Sequence, residues 1–302
     1  MMPELHSRYR GRFAPSPSGP LHFGSLIAAV GSYLQAKSQQ GEWLVRLEDI
    51  DQPRMVKGAA DAILHSLELY GLHWDGDVWV QSQRLERYQQ VLDQLSQQHL
   101  VYGCDCSRAR ISALSSGYDG HCRERQLSQG TLAYRLQAPQ TATEFTDLLQ
   151  GRTQIPLALA QEDYILKRRD GLFAYQLVVV VDDIDQGITQ VVRGADLIEV
   201  TTRQQALFEL LGAKAPSYVH LPLAVKEPGF KLSKQNHAPA ISDWPVSHTL
   251  SAALGFLGHP PPAGLQGAPA SELLEWAVRH WTLSAVPAAR ELPGSVVPTG
   301  AC

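Results

Sequence analysis

The stretch RFAPSPSGPLHFGS, residues 12–25, places three prolines and two glycines between an apparent strand and an apparent helix. Proline fixes φ and has no backbone N–H, whereas glycine adopts backbone angles that are closed to other residues. The run is therefore a stiff connection of defined shape, and such a loop can bring backbone close to a ligand. Taken by itself, the segment is equally compatible with a rigid surface turn.

The chain as a whole has the composition of a folded protein, with 302 residues, 44% hydrophobic residues, 19% charged residues and a formal charge of -4. This charge does not indicate a nucleic-acid-binding protein, although basic runs such as 167–169 permit an RNA partner. The sequence lacks a run of 18 apolar residues and the apolar core of a secretory signal, and it has only four cysteines. We therefore expect a cytoplasmic protein without a membrane span, and nothing demands more than a monomer.

The hydrophobic pattern of the first hundred residues predicts alternating strands and helices. YRGRFA (9–14) and WLVRLEDID (43–51) have the apolar character of buried strands. Helical spacing is found in SLIAAVGSYLQAKSQQG (25–41), KGAADAILHSLELYG (57–71) and SQRLERYQQVLDQLSQQH (82–99). This alternation predicts an α/β fold with a doubly wound parallel sheet. Ligands bind such sheets at the carboxyl ends of the strands, where the opening loop lies.

The alternation breaks at residue 104 and resumes near residue 171. The interval is turn-rich and strand-like, with a predicted hairpin turn at Arg-Asp-Gly, residues 169–171. We predict four parts: residues 1–103 and 171–240 as two halves of a catalytic domain, 104–170 as an inserted α+β segment, and 241–302 as a short helical region. The last part contains one strong helical pattern, SELLEWAVRHW (271–281).

Two pieces of the sequence are candidates for phosphate binding. His22 lies one turn before a helix that is predicted to start near Ser25, and the N–H groups and dipole of such a start favour an anion. Lys231 and Lys234 stand three apart in KLSKQ and can clamp a polyphosphate as charge develops. Each signal is weak alone, because lone histidines are usually structural and lysine-rich loops are common.

Four motifs, in order, resemble the glutamyl branch of the class I aminoacyl-tRNA synthetases. PSPSGPLHFGS and KLSKQ resemble the HIGH and KMSKS signatures, and VRLEDIDQPR and YQLVVVVDDIDQGITQVVRGADL lie between them. Ser25 replaces the last histidine of HIGH, and the lysine loop has Leu and Gln in place of Met and Ser. We interpret both departures as tolerated, because Ser25 can donate a hydrogen bond and both lysines are present.

The resemblance implies a Rossmann-type catalytic domain that uses ATP and magnesium to convert L-glutamate into glutamyl-adenylate. Full-length members carry a large helical anticodon-binding region after the lysine loop, and only a short segment follows Gln235 here. The chain is thus similar to the short members, which transfer glutamate to the cyclopentenediol of queuosine in the anticodon of tRNA(Asp). A compact enzyme that charges a tRNA 3′ end and a non-catalytic tRNA-binding paralogue are the alternatives.

The resemblance also assigns roles to residues. It implies a glutamate pocket of Arg12, Phe13, Ala14, Pro15, Ser16, Glu48, Tyr175 and Arg193. It implies an ATP site of His22, Gly24, Ser25 and Lys234, with His22, Lys231 and Lys234 as the catalytic residues. Arg12 suits a carboxylate because a guanidinium binds one bidentately, Glu48 can hold the ammonium group, and Arg193 is a second candidate clamp. Without the resemblance, the arginines would be surface salt-bridge residues and Tyr175 a packed strand residue.

Three cysteines form a candidate zinc site in CDCSRARISALSSGYDGHC, residues 104–122. Zinc prefers four ligands, and Cys104, Cys106 and Cys122 supply three thiolates. Free cysteines are the alternative. The resemblance places the phenolate of Tyr118 as the fourth ligand, while His121 is the chemically more usual choice. The predicted zinc ion is structural and closes a loop that helps to present the acceptor nucleotide, and Cys302 is expected to bind nothing.

Overall fold

The computed structural model describes residues 8–114, 117–138, 141–227, 230–231 and 240–294. The strands are β1 Arg10–Phe13, β2 Glu42–Leu47, β3 Trp79–Val80, β4 Val101–Cys104, β5 Ala133–Leu136, β6 Glu144–Asp147, β7 Gly151–Gln154, β8 Ile165–Lys167, β9 Gln190–Gly194, β10 Ser217–Leu221, β11 Leu223–Glu227, β12 Phe230–Lys231 and β13 Glu291–Pro293. The helices are α1 Phe23–Ser38, α2 Ala59–Leu69, α3 Leu85–Gln97, α4 Arg108–Ser112, α5 Leu157–Ala160, α6 Tyr175–Asp185, α7 Thr201–Leu210, α8 Val246–Phe256 and α9 Ala270–His280.

The central sheet is parallel and consists of two parts that meet at β1. Strand β2 pairs in parallel with both β1 and β3, and β9 pairs in parallel with β10. The two parts join between β1 and β9. There, the N–H of Thr189, the residue before β9, donates to the carbonyl of Arg10 on β1 at 2.9 Å. The spatial order is therefore β3-β2-β1-β9-β10, which confirms the predicted α/β organisation. The loop after β1 lies where the strand order reverses, and such a switch point forms a crevice for ligands.

Helix α1 lies between this sheet and the C-terminal helices. Its Leu26, Val30 and Leu34 are fully buried in a core that also includes residues of α8 and α9. Gly31 permits close approach to the sheet, because a Cβ there would lie 2.5 Å from a side-chain methyl of Leu221 on β10. The apolar stripe of α1 thus holds the helix, and with it the opening loop, against the carboxyl ends of the strands.

Helix α6 corrects the interpretation of Tyr175 as a strand residue, since Tyr175 is the first residue of this helix. Residues 178–181 are four consecutive valines that are at most 1% exposed, in a helix packed against α3 and α7. β-Branched residues favour strands only weakly, so burial of this helix on several faces outweighs their propensity.

The segment between β4 and β8 forms small antiparallel sheets. Strand β5 pairs with β4 and β8, and β6 pairs with β7. The turn at residues 169–171 has the predicted hairpin form, with a bridge between Lys167 and Phe173. The β6–β7 hairpin contacts the main sheet, where the Leu148 N–H donates to the Tyr218 carbonyl at 2.9 Å.

The part of the chain after β10 returns to the opening loop. Strand β11 pairs with β12 and with β13, and an isolated bridge joins Ala240 to His22. The Ile241 N–H donates to the Leu21 carbonyl at 3.0 Å. Within the described ranges, no helix combines the length and the apolar character that crossing a membrane requires. The domain boundaries drawn from the sequence remain predictions.

Candidate active site

The opening loop is fixed by backbone hydrogen bonds to its neighbours. The Pro15 carbonyl accepts from the Glu48 N–H at 2.9 Å, and the Pro17 carbonyl accepts from the Val56 N–H at 3.0 Å. Gly19 has a φ of 138°, which side chains rarely allow. These contacts tie the loop to the end of β2, so its shape is set before any ligand arrives.

His22 is the N-cap of α1, which starts at Phe23, two residues before the predicted start. The Nδ1 atom of His22 accepts from the Ser25 N–H at 3.3 Å, and its Nε2 atom lies 3.0 Å from Ser25 Oγ. Because an amide N–H only donates, Nδ1 is the acceptor and a neutral ring carries its proton on Nε2. The imidazole and the hydroxyl that replaces the second histidine of the motif are therefore adjacent at the helix N-terminus.

A cleft of about 550 Å³ lies between the opening loop and the ends of β9 and β10. The predicted residues Phe13, Ala14, Pro15, Ser16, His22, Gly24 and Ser25 all line it. The opposite wall includes Gly194 at the end of β9, Asp196 just after it, and residues 221–224, which run from the end of β10 into β11. Asp196 lies in the motif VVRGADL, residues 191–197, but the sequence alone assigned it no role. The volume is in the range of sites that hold small ligands.

A buried cluster of charged residues lies behind the loop. Arg12 donates through Nε to Asp183 Oδ1 at 3.1 Å, and Arg46 donates to the same oxygen at 2.8 Å. Arg46 is fully buried and also lies 3.6 Å from a carboxylate oxygen of Asp182. Sequence reasoning missed Arg46 and the two aspartates, although charged residues inside the apolar runs WLVRLEDID and LVVVVDDID were a visible signal.

Glu48 belongs to this cluster and has an unusual environment. Its Oε1 atom is buried, lies 3.7 Å from Arg46 Nη2 and has no hydrogen-bond partner among the described residues. Burial raises the pKa of Glu48 to about 7, although the charges of Arg46 and Arg12 lower it. An unsatisfied buried carboxylate oxygen is costly unless a donor reaches it. The site therefore suits a cationic N–H donor.

Arg193 and Tyr175 lie near the same region. Arg193 is 5% exposed, and its guanidinium carbon lies 5.1 Å from the centre of the Tyr218 ring. Burial raises the pKa of Tyr175, and this is the largest effect. The positive charges of Arg193 and Arg12 lower the pKa, whereas the negative charge of Glu48 raises it. Tyr175 is therefore within electrostatic range of Arg193, Glu48 and Arg12.

The lysine loop is only partly described. Lys231 is the last residue of β12, and Lys234 lies outside the described residues. On one side of the gap, β12 pairs with β11, whose Leu223 and Ala224 line the cleft. On the other side, Ala240 pairs with His22. Both flanks of the loop therefore adjoin elements that form the cleft.

Three buried cysteines form a cluster in the inserted segment. The Sγ atoms of Cys104, Cys106 and Cys122 lie within 4.8 Å of one another, and Tyr118 Oη lies 3.6 Å from Cys104 Sγ and 3.9 Å from Cys106 Sγ. His121 is exposed and is not part of this group. Burial disfavours the Cys104 thiolate, but hydrogen bonds from Tyr118 and Arg135 lower the pKa of Cys104 to about 7.

These distances fit a tetrahedral ion. A zinc–sulfur bond of about 2.3 Å separates two sulfur ligands by roughly 3.8 Å. The Sγ atoms of Cys106 and Cys122 are 3.5 Å apart, close to that value. The Tyr118 hydroxyl lies near two of the three sulfur atoms, and it also accepts from the Cys122 N–H at 2.8 Å.

Comparison with known proteins defines the class of this chain. Residues 8–248 match the family of class I tRNA synthetases (E and Q), catalytic domain. A solved structure of a glutamate tRNA ligase from Elizabethkingia meningosepticum, in complex with its amino acid, superposes with a TM-score of 0.78 at 23% identity. That match covers 94% of this chain and 66% of the other chain, and at this identity it supports the fold alone.

Curated relatives narrow the assignment further. The glutamyl-Q tRNA(Asp) synthetase of Serratia proteamaculans (strain 568) is 60% identical over 280 residues, which cover 93% of this chain and 92% of that protein. The proteins of the same name from Pectobacterium atrosepticum and Escherichia coli (strain K12) are 58% and 56% identical, each over 93% of this chain, and the matches cover 87% and 91% of those proteins. The chain therefore belongs to the glutamyl-Q tRNA(Asp) synthetase family.

Proposed function

We propose that this chain activates L-glutamate with ATP and transfers the glutamyl group to queuosine in the anticodon of tRNA(Asp). The observation that carries the activation step is the position of Glu48, whose buried Oε1 atom has no hydrogen-bond partner among the described residues and whose N–H donates to the carbonyl of Pro15 in the wall of the cleft. Glutamate presents one ammonium group and two carboxylates. Glu48 is complementary to the ammonium group, and Arg12 and Arg193 are complementary to the carboxylates.

In this proposal, Glu48 binds the ammonium group, and Arg12 and Arg193 bind the carboxylates. Residues 13–16 form the wall of the pocket, and Tyr175 closes it from α6. The substrate carboxylate attacks the α-phosphorus of ATP, and pyrophosphate leaves. Since glutamate supplies its own nucleophile, the protein contributes positioning and charge stabilisation.

ATP is proposed to bind, as its magnesium complex, in the cleft at the start of α1. His22, Gly24 and Ser25 line that cleft at a helix N-terminus, where backbone N–H groups and the helix dipole favour phosphate. Lys231 and Lys234 supply positive charge as negative charge develops on the transferred phosphate. The adenylate then reacts with a hydroxyl of the queuosine cyclopentenediol, which displaces AMP and forms an ester.

The cysteine cluster is proposed to hold one structural zinc ion through Cys104, Cys106, Tyr118 and Cys122. Bound zinc stabilises a folded loop by cross-linking residues that are distant in sequence. Cys104 ends β4, Cys106 lies in the connection from β4 to α4, and Tyr118 and Cys122 lie in the loop after α4, so the ion would close the end of the insert. This region is proposed to present the acceptor nucleotide.

Exchange of labelled pyrophosphate into ATP tests the activation step. Wild-type protein is expected to show exchange that depends on glutamate, and Lys234→Ala is expected to lower its rate about 100-fold without unfolding the chain, because a charge on the transition state is lost. Lys214→Ala, outside the cleft, serves as the control. Exchange that persists unchanged in Lys234→Ala would rule out the assigned role. Absence of exchange in the wild type would favour a non-catalytic tRNA-binding protein.

A further inference from the structure

Arg193 is held by a chain of buried side chains that starts in the inserted segment. Arg193 donates through Nε to His220 Nε2 at 3.0 Å, and His220 Nδ1 lies 2.7 Å from Asp147 Oδ2. The three residues are 5%, 0% and 1% exposed. They come from β9, β10 and β6, so the contact joins the β6–β7 hairpin to the central sheet.

The donors determine where the imidazole proton lies. An arginine N–H only donates, so His220 Nε2 must accept, and a neutral ring carries its proton on Nδ1 and donates it to Asp147. Burial lowers the pKa of His220 to about 4 despite the hydrogen bond to Asp147, so the ring is neutral near pH 7. Asp147 therefore selects the tautomer that can accept from Arg193.

The other contacts of Arg193 complete its orientation. Nη1 donates to Gln204 Oε1 at 2.7 Å, and Nη2 donates to the Leu197 carbonyl at 3.2 Å and to Thr201 Oγ1 at 2.9 Å. With the bond to His220, these contacts use four of the five guanidinium N–H groups. Among the described residues, one Nη1 N–H has no partner and remains for a ligand, so Arg193 can bind a carboxylate through a single hydrogen bond and its charge.

We propose that Asp147 and His220 are positioning residues for glutamate, which fix Arg193 in the orientation that binds a substrate carboxylate. The inference rests on the proposed function, because it takes Arg193 as a glutamate ligand. It adds a role for the inserted segment at the amino-acid site. Docking of the β6–β7 hairpin and binding of glutamate are then coupled through one buried histidine.

Asp147→Asn tests this inference with almost no change of shape. Asp147 Oδ1 already accepts from the N–H groups of Leu149, Gln150 and His220, at 2.9, 2.8 and 3.3 Å. An asparagine must keep its oxygen there and turn its NH2 group toward His220 Nδ1. The ring proton then moves to Nε2 and faces the Arg193 N–H, so two donors oppose each other.

The predicted result in the exchange assay is a KM for glutamate raised about tenfold in Asp147→Asn, with the KM for ATP and kcat within about twofold of wild type. Gln150→Ala is the matched control, because Gln150 donates to the backbone carbonyls of His220 and Ala289 and leaves the histidine ring untouched. Adding His220→Gln to Asp147→Asn should recover most of the lost affinity, since a glutamine oxygen can accept from Arg193. If Asp147→Asn has the same KM for glutamate as Gln150→Ala, the inference is overturned.

Nitrogen NMR of the histidine rings gives a readout that does not depend on activity. The His220 signal, assigned by its loss in His220→Gln, should show the proton on Nδ1 in the wild type and on Nε2 in Asp147→Asn. A wild-type proton on Nε2 would contradict the inference. Absence of glutamate-dependent exchange in the wild type would instead contradict the proposed function, whereas normal exchange with an unchanged KM in Asp147→Asn contradicts this inference alone.

Discussion

At the scale of single residues, Glu48 carries the most direct information about the ligand. Its carboxyl group is buried in a charged cluster with Arg46 and Arg12, and one of its oxygens has no hydrogen-bond donor among the described residues. Burial outweighs the arginine charges, so the carboxyl group is only half ionised near pH 7. A substrate ammonium group would both satisfy the oxygen and favour its ionised form.

Glutamate binding should consequently depend on pH. The folded pKa of Glu48 is raised to about 7, so lowering the pH from 8 to 6 converts most of the carboxylate to the neutral acid. The KM for glutamate is expected to rise about tenfold over this interval, because a group with a pKa of about 7 is roughly 90% ionised at pH 8 and roughly 10% ionised at pH 6. The measurement is glutamate-dependent exchange at saturating ATP between pH 6 and 8.

Glu48→Gln should abolish this pH dependence and bind glutamate no better at pH 8 than the wild type does at pH 6. The control is Glu68→Gln, because Glu68 is exposed on α2. A wild-type KM that stays constant over the interval would show that another group binds the ammonium.

At the scale of elements, the cysteine-cluster end of the inserted segment, residues 104–122, is expected to serve the second half of the reaction. Cys104→Ser should release zinc, measured by metal analysis, because three ligands bind a tetrahedral ion far more weakly than four. Transfer to tRNA should fall about tenfold or more while pyrophosphate exchange stays within about threefold, since the cluster lies outside the cleft.

Cys302→Ser provides the matched control for this prediction, since Cys302 is not expected to bind metal. Loss of exchange in Cys104→Ser, with the fold intact, would show that the cluster also supports activation. Full activity of a wild-type preparation that contains no metal would contradict the zinc proposal.

Helix α1 makes a prediction about stability. Gly31→Ala should lower the free energy of unfolding by about 1–3 kcal/mol, because its Cβ would meet Leu221 at 2.5 Å in a packed core. Gly255→Ala, near the end of α8, meets no atom within 4 Å and should be neutral or stabilising by about 0.5–1 kcal/mol. Urea denaturation compares the two, and equal effects would show that α1 shifts away from β10.

The elements also show what the sequence could predict. Strands β1 and β2 follow from short apolar runs, which are typical of buried parallel strands, and helices α1 to α3 follow from the helical spacing of their apolar residues. The helical state of Tyr175 and of the valines in α6 could not be predicted in this way, because runs of β-branched residues occur in buried strands and in buried helices alike. The contact between Asp147 and His220 joins residues far apart in the chain, and no local pattern reports it.

At the scale of the whole molecule, several arginines of the inserted segment are neutralised by aspartates. Ion pairs join Arg110 to Asp119, Arg123 to Asp163, Arg125 to Asp105 and Arg168 to Asp170. These pairs agree with the net charge of -4, which by itself does not indicate a nucleic-acid-binding protein. The family assignment was predictable because its motifs are local, whereas the tRNA-binding face depends on how such pairs are distributed in three dimensions.

The central claim is that glutamate is transferred to queuosine, and one experiment tests it directly. Labelled glutamate, ATP and magnesium are incubated with the protein and one of three RNAs: queuosine-containing tRNA(Asp), the same tRNA without queuosine, or tRNA(Glu). We predict label on the first RNA alone. Label on tRNA(Glu) would instead identify a compact enzyme that charges a 3′ end, and label on none would contradict transfer altogether.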